Sequence, residues 1–292
     1  MTSALTKFVP KAPPLNFEIL KEVQRFIDQS KSIVFITGAG ISTESGIPDY
    51  RSEGVGVYAR SKHRPIQYQE LMTNEYWRRR YWSRNYVAWN GFNQAKPNIT
   101  HQSMADWEQS CRFNWLITQN VDALHTMAGS ERITELHGCA KKVICTECKT
   151  IYSRAEIQDL IIKLNPDWNV EEVGEMRPDG DVEIPDSALS NFRIPYCLHC
   201  GERSILKTNV VFFGENVPLK EVDLCYEKVD NCDLMVVLGS SLSVMSSYRF
   251  VHHASLKQLP IVIINIGPTR ADNLATIKLP AKAFEVVTKL GV

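Results

Sequence analysis

Apolar residues follow two rhythms along this chain. Between residues 17 and 29, Ile19, Leu20, Val23, Phe26 and Ile27 recur at helical spacing, which predicts a helix with one buried stripe. Directly after it, residues 33–37 form an unbroken β-branched and aromatic run, short enough for a strand buried on both faces. Runs of the same kind stand at 115–118, 210–213, 234–238 and 261–266. Strands without polar alternation belong in a parallel sheet covered on both sides. Helical patterns lie between several of them, around 218–230 and 247–258. The class is therefore α/β, a doubly wound, Rossmann-like parallel sheet.

Two stretches interrupt this rhythm. Residues 52–110 are rich in Arg, Tyr and Trp, and residues 140–203 contain two Cys-x-x-Cys pairs. Both read as insertions that build a smaller module against the sheet. The expected nucleotide-binding domain is thus discontinuous, made of 1–51, 111–139 and 204–292. Residues 52–110 give the helical part of the small module, and 140–203 its metal-binding part. Inside the latter, about 165–186 is acidic: Asp167, Glu171, Glu172, Glu175, Asp179, Asp181, Glu183 and Asp186 oppose only Arg177. So polar a run reads first as a long solvated loop and second as a lid over a cleft.

Composition narrows the classes. With 292 residues and 44% hydrophobic content, the chain can build a large core. A net charge of +0 argues against general nucleic-acid binding, which needs excess Lys and Arg. No apolar run approaches a bilayer span. Residues 1–11 lack the apolar segment of a secretory signal, and are too short and arginine-free for a good transit peptide. Four of the eight cysteines stand in the two pairs, which suits a reducing compartment and a metal site.

The turn after the first strand reads Thr37-Gly38-Ala39-Gly40-Ile41-Ser42. Glycines there let a backbone approach a pyrophosphate, and a helix beginning behind them offers N–H donors. The match to G-x-G-x-x-G is imperfect, because residue 43 is Thr. Taken alone, it leaves open a nucleotide site and a merely tight turn. Cys145, Cys148, Cys197 and Cys200 are a four-thiolate set, which fits a closed, structural zinc site. The 48 residues between the pairs (149–196) exceed what a compact ribbon needs, and His199 reads as a bystander. His137, taken alone, reads as a core histidine.

The extended motifs change that reading. Gly-Ala-Gly-Ile-Ser-Thr-Glu-Ser-Gly-Ile-Pro-Asp-Tyr-Arg over 38–51 closely resembles the signature of the sirtuins, NAD-dependent lysine deacylases. Thr-Gln-Asn-Val-Asp over 118–122, His137-Gly138, Phe213-Gly214-Glu215, Gly239-Ser240-Ser241-Leu242 and Asn265-Ile266-Gly267 match further signatures in order. The resemblance covers roughly 17–290. Within the family it is nearest the mitochondrial class II, sirtuin-4-like type, on Val57-Tyr58-Ala59-Arg60, the long insert and the segment 265–270. It implies NAD as co-substrate, one structural zinc ion and a mitochondrial matrix location.

Residue by residue, the resemblance implies that His137 is the general base acting on a ribose hydroxyl, a task suited to an imidazole titrating near pH ~6.5. Asn120 shares the catalytic assignment. Asp122 would meet the nicotinamide carboxamide, Gln119 and Asn120 the ribose, and Arg51 the phosphates. Ser240, Ser241 and Asn265 would receive the adenosine half. Gly38, Ala39, Gly40, Ile47, Asp49, Tyr50, Tyr58, Val121, Gly239, Ile266, Gly267 and Ala283 complete the expected NAD site.

Tyr81-Trp82-Ser83-Arg84 has the Tyr-x-x-Arg spacing that a related sirtuin type uses for acidic acyl-lysines. On a helix both side chains share one face, and a phenol with a guanidinium can hold a carboxylate. Branched, carboxylate-ended acyl groups are therefore the expected substrates. The peptide is expected to pair as a strand beside Val210, Phe213 and Gly214. Thr208-Asn209 departs from the family's usual Pro-Asp there. Acyl-lysine proteins, metabolic enzymes among them, are the expected partners of a monomer. Mono-ADP-ribosyl transfer, an NAD-sensing scaffold and a zinc-ribbon nucleic-acid binder are the competing readings.

Overall fold

The computed structural model describes residues 7–60, 65–170 and 176–291. Glu171, Glu172 and Glu175 of the acidic run lie outside the described residues. In chain order the strands are β1 (Ile33–Thr37), β2 (Trp115–Thr118), β3 (Ile133–Glu135), β4 (Gly138–Cys145), β5 (Ile151–Ser153), β6 (Leu206–Val210), β7 (Leu234–Leu238), β8 (Ile261–Ile264) and β9 (Ile277–Leu279). The helices are α1 (Phe17–Gln29), α2 (Val57–Arg60), α3 (Tyr68–Thr73), α4 (Glu75–Gln94), α5 (Ile99–Gln109), α6 (Leu124–Ala128), α7 (Arg154–Leu164), α8 (Leu219–Asp230), α9 (Met245–Leu256) and α10 (Ala283–Val287).

Six strands form a parallel sheet in the order β3-β2-β1-β7-β8-β9. Its strands are buried on both faces, as the unbroken apolar runs require. Along β1, Ile33 and Phe35 enter one core with α1, while Val34 and Ile36 enter the other with α8 and α9. Helix α1 starts where Asn16 accepts hydrogen bonds from the Glu18 and Ile19 amides, and it buries Leu20, Val23 and Ile27. The chain leaves β1 towards β2 and β3, then returns to build β7, β8 and β9 on its other side. That reversal opens a crevice beyond the carboxyl ends of β1, β2 and β7.

A second, antiparallel sheet has the order β5-β4-β6. Trp82 of α4 is fully buried beneath it and donates its indole N–H to the Leu206 carbonyl at 3.1 Å. Arg154 starts α7 with its guanidinium 5.4 Å from the Trp82 ring centre and 4.8 Å from that of Trp89.

Three expectations need correction. The run at 210–213 is not a strand of the parallel sheet. The strand is β6, which begins four residues earlier, and it pairs with β4. Residues 52–110 are not one unit of the small module. Helix α5 packs Met104 and Trp107 into the large core, with the Phe35 ring centre 5.9 Å from Trp107 and 5.2 Å from Phe113. The described end of the acidic stretch, from 176 onward, is not a solvated excursion. Val182, Ile184 and Leu189 are buried against Ala88 of α4, so apolar side chains between the charges pin the loop to the helix.

Candidate active site

A cavity of about 1250 Å³ fills the crevice. Of the residues assigned above to NAD, catalysis, acyl group and peptide, every one but Arg84 lines it. They arrive from the carboxyl ends of successive strands: Gly38 after β1, Asn120 and Asp122 after β2, His137 after β3, Ser240 after β7, Asn265 after β8.

The turn after β1 is built for close approach. A Cβ on Gly38 would lie 2.7 Å from Ser240 Cβ and 2.9 Å from the Gly239 carbonyl oxygen. Gly40 donates its N–H to that same carbonyl at 3.0 Å. The turn does not lead into an α-helix as expected; it continues through two short 3₁₀ turns, Ala39–Ile41 and Thr43–Ser45.

Asp122 is buried, and burial raises its carboxyl above the usual range, partly offset by hydrogen bonds. It accepts from Ser42 Oγ at 2.7 Å and from the Leu124 amide at 2.9 Å. The second bond is a local turn contact, so the residue shapes the chain and faces the cavity at once. Asn120 Nδ2 donates to the Gly38 carbonyl and to Ser42 Oγ, both at 3.1 Å. Asp49 folds its own loop by accepting from the Arg51 and Ser52 amides. Arg51 lies 5.4 Å over the Tyr58 ring.

His137 has a defined tautomer. Its Nδ1 stands 3.0 Å from the Gln119 carbonyl, which can only accept, so Nδ1 carries the proton. Its Nε2 is left with a lone pair, 2.8 Å from Ser246 Oγ. Burial lowers the basicity of the ring and the Gln119 carbonyl partly restores it, so the imidazole is neutral near pH 7. A neutral imidazole whose Nε2 is unprotonated can take a proton there once the Ser246 O–H turns aside.

Arg84 needs correction. It is 1% exposed, and its Nε donates to the Val182 carbonyl at 2.6 Å. Its Nη2 donates to Asp181 at 2.7 Å and lies 3.5 Å from Glu183. The loop carboxylates thus occupy the cation intended for an acyl carboxylate. Tyr81 reaches the cavity, but its hydroxyl shares a hydrogen bond with Thr208 Oγ1 at 2.5 Å. Sequence reasoning missed Asp179 and Asp181, which line the cavity from the acidic loop, and Ser246. The loop's charge was visible, but not its route; Ser246 stood in no motif.

The four thiolates of Cys145, Cys148, Cys197 and Cys200 lie within 4.8 Å of one another. Cys145 and Cys200 sulfurs are 3.9 Å apart, and Cys148 and Cys197 sulfurs 3.6 Å. Zn–S bonds of about 2.3 Å in a tetrahedron require sulfurs roughly 3.8 Å apart. The set fits one closed zinc site, away from the cavity.

Residues 38–246 match the model of the Sir2 family. Over 286 residues the chain is 51% identical to the NAD-dependent protein deacylase sir-2.2 of Caenorhabditis elegans, covering 97% of this chain and 99% of that protein. Over 280 residues it is 49% identical to the mitochondrial NAD-dependent protein lipoamidase sirtuin-4 of Homo sapiens, covering 96% and 88%. A solved Sir2–p53 peptide–NAD+ structure aligns with a TM-score of 0.70 at 29% identity, over 92% of this chain and 96% of that one.

Proposed function

The chain belongs to the Sir2 family as an NAD-dependent protein deacylase of the sirtuin-4-like type, and from that premise we propose the course of its reaction: acyl transfer from lysine to NAD, releasing nicotinamide and an O-acyl-ADP-ribose. NAD supplies a ribose carbon that becomes electrophilic as nicotinamide leaves. The chain's own residues do the rest. Asp122, fixed by Ser42 and Leu124, accepts from the carboxamide. Gln119 and Asn120 order the ribose. The acyl-lysine lies beside Val210, Phe213 and Gly214; the Phe213 carbonyl already accepts from the Tyr68 amide, so pairing uses the remaining backbone groups. His137 Nε2 then takes the ribose hydroxyl proton.

One observation carries this reading. The His137 tautomer is fixed by a backbone carbonyl, so that an unprotonated nitrogen stands in the wall of a cavity lined by Gly38, Asn120 and Asp122.

The acyl class departs from the first expectation. Carboxylate-ended acyl groups lose their support, because Arg84 is committed to the loop carboxylates and Asp179 and Asp181 share the wall with Tyr81. The geometry favours uncharged acyl groups. The protein substrates are acyl-lysine enzymes of the mitochondrial matrix, and the enzyme acts as a monomer. Among the described residues no helix is long and apolar enough to cross a membrane.

A panel of acetyl, butyryl, octanoyl, lipoyl and glutaryl peptides with NAD tests the reading by nicotinamide release and mass spectrometry. O-acyl-ADP-ribose, with uncharged chains preferred, supports it. No nicotinamide release from any peptide overturns it, and ADP-ribose left on protein replaces it with mono-ADP-ribosyl transfer.

A further inference from the structure

The first turn of α9 presents two adjacent serines to the catalytic wall. Ser246 Oγ lies 2.8 Å from His137 Nε2. Ser247, fully buried, donates its hydroxyl to Gln119 Oε1 at 2.8 Å. The Gln119 main-chain carbonyl holds His137 Nδ1, and its side-chain amide donates to Ser240 Oγ at 2.7 Å. His137, Gln119, Ser247 and Ser246 thus form a closed circuit in which the imidazole is held at both nitrogens. Asp122 faces the same cavity, with both carboxylate oxygens engaged elsewhere.

Resting on the deacylase reading, we propose that Ser246 is a positioning residue for the general base: its hydroxyl fixes the imidazole plane and partners Nε2 before and after the proton is taken. A serine hydroxyl suits both states. Beside the neutral ring its O–H donates into the single Nε2 lone pair and turns aside as the ribose hydroxyl delivers its proton there; once the ribose oxygen has withdrawn, Ser246 Oγ accepts from Nε2–H. The bond to the cation is the stronger, being charge-assisted. It offsets part of the penalty that burial places on a positive ring. An alanine leaves the buried Nε2–H without this partner.

The order of steps supplies the control. Departure and re-addition of nicotinamide precede the base step, so nicotinamide exchange does not need His137 to accept a proton. Ser246→Ala is expected to slow deacylation on the order of tenfold while exchange stays within about twofold, and its acid limb should move to lower pH. In NAD-free protein, the His137 imidazole followed by NMR should titrate at lower pH in Ser246→Ala than in wild type. Ser246→Thr, which keeps the hydroxyl, should restore both. An equal loss of exchange and deacylation, or an unchanged His137 titration, overturns the proposal. The NMR arm stands without turnover, so a failed deacylase reading would not be mistaken for a failed role of Ser246.

Discussion

Arg84 Nη2 donates to Asp181 Oδ2 at 2.7 Å, tying α4 to a loop residue 97 positions away. With Arg84 1% exposed, this contact is part of the core between helix and loop. Arg84→Ala should therefore act on stability. Breaking a buried pair outright costs about 3–5 kcal/mol, and the loss here should fall below that because Arg177 still donates to Asp181 at 2.7 Å and to Glu183 at 2.6 Å. Urea unfolding should show that loss, while kcat/KM should fall by a similar factor for acetyl and glutaryl peptides. A selective loss on glutaryl would return Arg84 to the acyl pocket.

Asp179 makes acyl selectivity depend on pH. Burial pushes its carboxyl up to about 6, Asp181 adds to the rise, and Arg177 and Arg84 partly offset it. Its Oδ1 is buried without a hydrogen-bond partner, and Tyr50, Tyr58 and Tyr81 feel its charge. Above pH 6 the anion repels a carboxylate-ended acyl group; below it the neutral acid does not. The glutaryl-to-acetyl ratio of kcat/KM should rise several-fold from pH 7.5 to 5.5, and taking a ratio cancels the protonation of His137. Asp179→Asn should give the high ratio at every pH. A flat wild-type ratio would remove Asp179 from the acyl end.

The sequence made the strands of the large sheet legible where they were long and unbroken, as at 33–37 and 234–238. It hid β3 and β9, which are three residues each, too short to form a pattern. It displaced β6 because Lys207 and Asn209 interrupt the apolar run. Lys207 is buried with its ammonium donating to the Val210 carbonyl at 2.7 Å and to Glu215 at 2.9 Å, and with the Phe212 ring 5.1 Å away, pairings made in the folded state. Gly38, Asn120, Asp122, His137, Ser240 and Asn265 could be read because each follows a strand end within a motif. Arg84 was misread because helical spacing gives a side chain's face but not what a distant loop brings to meet it.

Zinc should be needed for the small sheet to fold. Cys145 and Cys197 are buried in one cluster with Trp82, Val143 and Leu206, so the thiolates are part of that core. Cys197→Ser should abolish the bound zinc, measured by mass spectrometry of the metal, and lower Tm by 10 °C or so. Because the cluster stands away from the cavity, activity should fall through loss of folded protein. Full stability in a zinc-free variant would exclude a structural role.

Acid should destabilise the fold through two histidines that take no part in the reaction. His101 and His125 are buried with ring centres 4.8 Å apart. Burial pushes His101 down to about 3, and burial with the nearby His101 drives His125 well below its ordinary value. Both rings stay neutral in the fold, where His101 Nδ1 lies 3.3 Å from the Asn98 amide and His125 Nε2 lies 3.1 Å from Thr37 Oγ1. The unfolded chain binds protons at these sites from about pH 6.5 downwards, and the folded chain does not. Their stabilising share is therefore complete above pH 6.5 and declines by about 1.4 kcal/mol per pH unit for each ring. Asp179 works in the opposite sense between about 6 and 4, since its raised carboxyl gains a proton earlier in the fold. Glu44, which burial raises to about 7, works in the same sense as Asp179 and offsets most of the histidine loss between pH 7 and pH 5, so the histidine share is read from variants and not from the wild-type net. His101→Gln should remove about half of the histidine slope, since glutamine does not titrate. A pH slope in His101→Gln identical to that of wild type would mean that the ring can accept a proton where it sits.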